Sequence, residues 1–144
     1  MHERGKLLTP REELAAELYE LTQSVCGAAG FETYEISNLA KPGAQCQHNL
    51  IYWRGQDYAG IGPGAHGRLT TSKGRLATAT QRNPEKWWQL ANVEGHGMIE
   101  QELLSSEEHA DELMLMGLRL AEGFDPARYA SVSGRPLNLS LIHI

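Results

Sequence analysis

Cysteine is scarce in this sequence: Cys26 and Cys46 are the whole complement in 144 residues, too few for a disulfide-dense scaffold. Long apolar runs are missing as well, since Glu, Lys, Arg or Gln interrupts every apolar patch before the ~18 consecutive residues that a membrane span needs. No apolar stretch follows a basic start as in a signal peptide, which predicts a soluble, cytoplasmic protein with reduced thiols. Basic charge is in deficit: thirteen Lys and Arg stand against eighteen Asp and Glu, a formal charge of -5, so a sequence-independent hold on nucleic acid phosphate has no global electrostatic support. Nucleic acid is therefore not an expected partner. What is present is an ordinary globular balance, 41% hydrophobic and 22% charged, with length enough for one core of roughly 100 to 150 residues. Disordered and collagen-like classes are excluded.

The pattern of the chain predicts an α/β protein. Thr9-Pro10-Arg11-Glu12 has the cap, proline and glutamate of a helix start near residue 10. Leu14, Leu18, Leu21 and Val25 then share one face that is expected to be buried, and Gly27 or Gly30 supplies the stop. Phe31 to Ile36 reads as a strand, and residues 37 to 47 as a loop leaving its carboxyl end, the edge where parallel α/β folds carry ligands. A β-like run from Asp57 to Ile61 leads into a glycine-dense segment, and Leu69–Thr71 and Arg75–Thr78 flank Ser72-Lys73-Gly74 as a hairpin does. Asn83-Pro84 opens a helix with Trp87, Leu90, Ala91 and Trp88 as candidates for its buried face. Residues 94 to 102 form a linker or an edge strand, and a domain boundary is placed near residue 100. Ser105-Ser106-Glu107-Glu108 is a capping box before a helix that stops at Gly123, and Asp125-Pro126 starts a short further one.

Two segments concentrate chemistry. Gly62-Pro63-Gly64-Ala65-His66-Gly67 matches the dinucleotide-binding string G-x-G-x-x-G, but the residues after it are β-prone instead of opening a helix. About 20 positions on, where an acidic residue belongs, stands Thr80-Gln81-Arg82. The glycines either let main chain approach something flat or bulky, or make a sharp strand exit with no ligand. His48-Asn49-Leu50-Ile51-Tyr52-Trp53-Arg54 brings an imidazole able to ligate iron, aromatic surfaces able to hold a tetrapyrrole or purine, and a guanidinium able to pair with carboxylates. The same residues also fit a buried turn that His48 caps or hydrogen-bonds. Cys46 and His48 form Cys-x-His with no second pair, which argues against structural zinc. Cys26, Met114 and Met116 read as core residues, and His2, His96, His109 and His143 as surface histidines.

Three ordered motifs carry a family resemblance: Tyr34-Glu35-Ile36-Ser37-Asn38-Leu39-Ala40-Lys41-Pro42-Gly43, then His48 to Gly55, then Gly60-Ile61-Gly62-Pro63-Gly64-Ala65-His66-Gly67. Arg82-Asn83-Pro84, Leu104-Ser105, Glu112-Leu113-Met114, Gly117-Leu118-Arg119-Leu120 and Glu122-Gly123 continue it over most of residues 10 to 130. The chain resembles the C-terminal part of the HemW-type heme chaperones, relatives of oxygen-independent coproporphyrinogen III oxidase in the radical SAM superfamily. The resemblance implies the C-terminal portion of a partial TIM-like barrel over residues 1 to 100. The start of a small helical domain of the HemN C-terminal type would follow over 101 to 136, with a non-native tail over 137 to 144.

The resemblance also implies heme as ligand, with His48 as the residue associated with heme binding and Asn49, Tyr52, Trp53 and Arg54 around it. Ala40 falls where the family contacts S-adenosylmethionine, and Gly62, Gly64 and His66 are further cofactor candidates. Heme-acceptor proteins such as respiratory enzymes are the implied partners, reached at a membrane surface where the acceptor sits there. The family's Cys-x-x-x-Cys-x-Tyr-Cys motif for a [4Fe-4S] cluster does not occur here, so the segment alone is not expected to be catalytic. The alternative reading is a portion of the oxidase itself, which decarboxylates coproporphyrinogen.

Overall fold

The computed structural model describes residues 9–137 and divides the chain into two compact units, one up to Gln45 and one from Cys46 onward. The tail from residue 138, His2 and His143 lie outside the described residues.

The first unit holds α1 (Glu12–Ala28) and a hairpin of β1 (Glu32–Glu35) and β2 (Asn38–Ala40). The helix begins two residues later than its cap signal predicts: Arg11 is the N-cap and supplies no side-chain cap bond, while Gly30 takes a left-handed conformation (φ 79°) just past the end. The expectation of a buried face is not met. Leu14, Leu18, Leu21 and Val25 are 45–60% exposed and α1 buries no residue. Helical periodicity records that a face is apolar, not what covers it.

The segment read as a loop after β1 also differs, because Asn38–Ala40 turns back and pairs antiparallel with Glu32–Glu35. The turn is organised by Glu35, which is fully buried. Its Oε2 accepts from the Ser37 amide at 3.2 Å, from the Ser37 hydroxyl at 3.1 Å and from the Asn38 side-chain amide at 2.5 Å. A carboxylate so satisfied can be buried at tolerable cost and fixes the reversal.

The second unit runs α2 (Gln47–Trp53), β3 (His66–Thr71), β4 (Gly74–Thr80), α3 (Pro84–Glu94), β5 (Met98–Leu103), α4 (Ser106–Gly117) and α5 (Pro126–Ser133). Its sheet has the order β3-β4-β5, antiparallel throughout, with Leu69 opposite Leu76 and Leu76 opposite Leu103. Residue 100, where a boundary was expected, lies inside β5 and pairs with Ala79, so this unit continues through it. Local capping chemistry is realised: Asn83 accepts from the Lys86 amide at 3.0 Å, Ser105 and Glu108 close a reciprocal box, and Asp125 accepts from the Ala127 amide at 2.8 Å. Helix α4 ends at Gly117, earlier than the Gly123 signal, where a Cβ would lie 2.2 Å from that of Phe124. Leu50, Ala79, Ala110, Leu113, Leu120 and Tyr129 form the buried apolar set of this unit. Trp87 is half-buried against Gly97, whereas Trp88 is 63% exposed and does not belong to the buried face.

Candidate functional site

The richest sequence cluster, His48 to Arg54, forms a short helix and not an irregular turn. Seven residues do not hold a helix in isolation, so α2 depends on what grips its ends. Leu50 is its buried anchor. At its carboxyl end, Arg128 of α5 donates to the carbonyls of Arg54 at 2.5 Å and Gly55 at 2.8 Å. Arg75 of β4 donates to those of Gly55 at 3.2 Å and Gln56 at 2.7 Å. Two guanidinium groups thus satisfy the carbonyls that a helix end leaves open. Arg75 is itself buried and paired with Asp57, which also accepts from the amide and the hydroxyl of Thr70, each at 2.8 Å. The Thr70 amide is the main cause holding the Asp57 carboxyl below its ordinary value, with the Thr70 hydroxyl and Arg75 adding to it. Gly55 sits at φ 56°, a conformation that strains any other side chain, and a Cβ there would meet the end of the Leu113 side chain, Cδ2, at 2.4 Å, so Leu113 would have to shift.

The functional side chains separate onto two faces. His48 is exposed in the first turn, and its Nε2 is 3.0 Å from the Tyr52 hydroxyl one turn on. The two rings meet edge to face at 4.8 Å, and Tyr52 meets Tyr58 the same way at 4.4 Å. Tyr58 is held by a two-way backbone bridge to Arg68 of β3, both bonds 2.8 Å, and burial pushes its phenol up. Asn49 is half-buried beside this row. Trp53 and Arg54 face elsewhere. They line a cavity of about 320 Å³ with Leu113, Leu120, Phe124 and Tyr129. The Arg119 guanidinium lies 4.5 Å from the Trp53 ring centroid. Arg54 grips Glu122 through two bonds, 2.7 and 3.0 Å, which raises its own basicity and lowers the Glu122 carboxyl. The guanidinium expected to meet a ligand's carboxylate already holds one from the protein.

The glycine segment serves the fold. The Gly64 amide donates to Gln81 O at 2.9 Å, the Ala65 amide to the Thr80 hydroxyl at 2.8 Å, and that hydroxyl to Gly62 O at 2.6 Å. Gly62 and Gly64 take φ 99° and 70°, and a Cβ on Gly60 would fall 2.4 Å from His66 O. Gly60 and Gly67 thus approach the protein's own atoms closely, whereas a Cβ on Gly62 would meet nothing within 4 Å and one on Gly64 only Arg82 at 3.6 Å. His66 is exposed, its backbone in register with Ala79. Ala40 is buried in β2, in the first unit. Among the described residues no three His, Cys, Asp or Glu form a metal-holding group; a single axial imidazole needs none. Two cysteines, in separate units, cannot supply the thiolates of a [4Fe-4S] cluster, and this segment alone does not fit one.

No protein-family model matches the chain. It is 35% identical over 136 residues to the "Heme chaperone HemW" of Bacillus subtilis, covering 94% of this chain and 35% of that protein. To the protein of the same name from Escherichia coli it is 42% identical over 92 residues, 63% of this chain and 24% of the relative. Over most of its length the chain is homologous to part of the HemW-type heme chaperones. A "Radical S-adenosyl methionine domain-containing protein 1, mitochondrial" from Bos taurus is 39% identical over 128 residues, with 84% of this chain and 28% of the relative covered. The chain thus spans about a third or less of the length of these relatives. Its fold is that of part of a radical SAM enzyme. The structure of coproporphyrinogen III oxidase (HemN) from Escherichia coli superposes with a TM-score of 0.65 at 13% identity, covering 96% of this chain and 33% of that one.

Sequence reasoning singled out the side chains of α2 but missed those that hold it in place. Arg75, Arg128, Asp57 and Tyr58 carry no local motif, and Gly55 showed only as a family letter. Their role depends on contacts between residues 6 to 74 positions apart. His109, read as a surface residue, is half-buried with its Nε2 buried and unpaired, and burial holds its pKa below the ordinary value.

Proposed function

We propose that this chain is the heme-contacting portion of a HemW-type heme chaperone, and that His48 is the ligand offered to the iron. The observation that carries the reading is the exposed His48 imidazole on a helix whose other end is fixed by Arg75 and Arg128. An iron ligand has to be reachable and has to be held, and here reach comes from the first turn and hold from the last. Tyr52 and Tyr58 provide aromatic edges beside the imidazole, suited to the flat apolar face of a tetrapyrrole. Trp53 and Arg54 shape the support beneath and are not themselves the contact, since Arg54 is committed to Glu122.

Heme is cargo in this reading, and the protein's part is to bind and release it. Delivery to acceptor proteins, respiratory enzymes among them, is the activity we assign to the whole protein, in the cytoplasm or at the membrane surface where an acceptor sits. No helix among the described residues is long and apolar enough to cross a membrane. S-adenosylmethionine and a [4Fe-4S] cluster belong to that whole protein, with Ala40, Gly62, Gly64 and His66 as this segment's candidates near the former. The oxidase alternative has a likeness of fold behind it, which carries no chemistry.

Titration of ferric heme into the chain and into His48→Ala tests the assignment. The unsubstituted chain is expected to show a Soret band shifted from free heme that His48→Ala lacks; identical spectra would remove His48 from the role.

A further inference from the structure

The His48 ring has two nitrogens, and among the described residues one of them is engaged. Nε2 lies 3.0 Å from the Tyr52 hydroxyl, one helical turn away. A neutral imidazole carries one N–H and one lone pair, on opposite sides of the ring, so the partner of one nitrogen decides what the other presents. If the phenol donates to Nε2, that lone pair is consumed and Nδ1 carries the proton. If the phenol accepts from Nε2–H, the lone pair stands on Nδ1.

Tyr52 is the fixed member of the pair. It is half-buried and packed edge to face on Tyr58 at 4.4 Å, and Tyr58 is bolted to β3 by two 2.8 Å backbone bonds with Arg68. His48 is exposed and, among the described residues, has no equivalent hold besides Tyr52. Resting on the heme-ligand reading of His48, we infer that Tyr52 is a positioning residue. Its hydroxyl accepts the Nε2 proton, fixes the tautomer, and leaves Nδ1 as the nitrogen that meets iron. A second ring nitrogen tied to a protein oxygen is the usual way an imidazole ligand is oriented and made more basic. The opposite arrangement would make Tyr52 a competitor of iron for Nε2, and its removal would then strengthen binding.

The two arrangements separate experimentally in the full 144-residue chain. Long-range proton–nitrogen correlation of the heme-free protein is expected to show His48 as the Nε2–H form beyond the excess that a free imidazole already has, and Tyr52→Phe back at that excess. A predominant Nδ1–H form in the unsubstituted chain would overturn the inference. Heme titration supplies the second arm. Nδ1-methylhistidine installed at position 48 is expected to lose heme affinity about as completely as His48→Ala, and Tyr52→Phe to weaken it several-fold. Wild-type affinity in the methylated protein, or tighter binding in Tyr52→Phe, would contradict the assignment of Nδ1. Failure of the underlying reading has a different signature: His48→Ala would then bind as the wild type does, whatever tautomer the heme-free spectrum reports.

Discussion

Arg75 shows how far a single side chain can reach. Buried in β4, it joins Asp57, the Thr70 hydroxyl and the carbonyls of Gly55 and Gln56, so it links the sheet to the end of the helix that carries His48. Arg75→Met keeps the stem and removes the donors, leaving the Gln56 carbonyl short of its partner at roughly 1 to 3 kcal/mol and Asp57 without its cation, while the Gly55 carbonyl keeps Arg128. A loss of about 2 to 4 kcal/mol in urea unfolding is expected, with heme affinity reduced alongside. Asp57 adds a pH signature. Its carboxyl titrates lower in the folded than in the unfolded chain, so its contribution is present above the unfolded value and is lost as pH falls through the folded one. Asp57→Asn should therefore flatten the acid limb of a urea-midpoint profile below about pH 4 and leave its neutral part sloping as before. None of this was legible in the sequence, where Arg75 is one arginine after a turn. His48 and Tyr52 were legible, because their chemistry is intrinsic and their spacing of four needs only a helix to bring them together.

At the scale of elements, the readable features were those written in neighbouring residues. The caps of α3, α4 and α5 and the β3–β4 hairpin follow from bonds between residues two to four apart. Ser105→Ala removes the hydroxyl that accepts from the Glu108 amide at 3.2 Å, and should cost about 1 kcal/mol in thermal or urea melts. Helix α2 was unreadable because seven residues give too little periodicity, and β2 because Asn38-Leu39-Ala40 has no strand character before Glu35 fixes the turn. Gly55 joins two elements by absence of a side chain. Gly55→Ala should push α2 from Leu113 and cost about 1 to 3 kcal/mol, with the His48 Soret signal weakened in proportion. An unchanged melt for Gly55→Ala would show that α2 and α4 tolerate separation.

For the molecule as a whole, the apolar face of α1 is the main departure from expectation. Leu14, Leu18, Leu21 and Val25 form an exposed stripe, and β5 offers an edge whose residues from Ile99 to Leu103 are exposed. Surfaces of this kind associate. The chain is therefore expected to sediment as concentration-dependent oligomers, and Leu14→Gln with Leu21→Gln to shift it toward monomer without altering the melt of the second unit. A monomeric wild type at high concentration would contradict this. The fold class and family were readable because three motifs keep their order and spacing, while the covering of α1 is written in no residue of the stripe itself.

The central claim is a location: cargo meets the protein at the row of exposed His48 and half-buried Tyr52 and Tyr58. The most direct measurement is backbone and side-chain chemical-shift mapping of the 144-residue chain on addition of diamagnetic gallium protoporphyrin. The largest perturbations are expected at His48, Tyr52 and Tyr58 and in the first turn of α2, with α3 and β5 little changed. Perturbations centred on α3 and β5, or on the cavity under Trp53 with His48 untouched, would contradict the account.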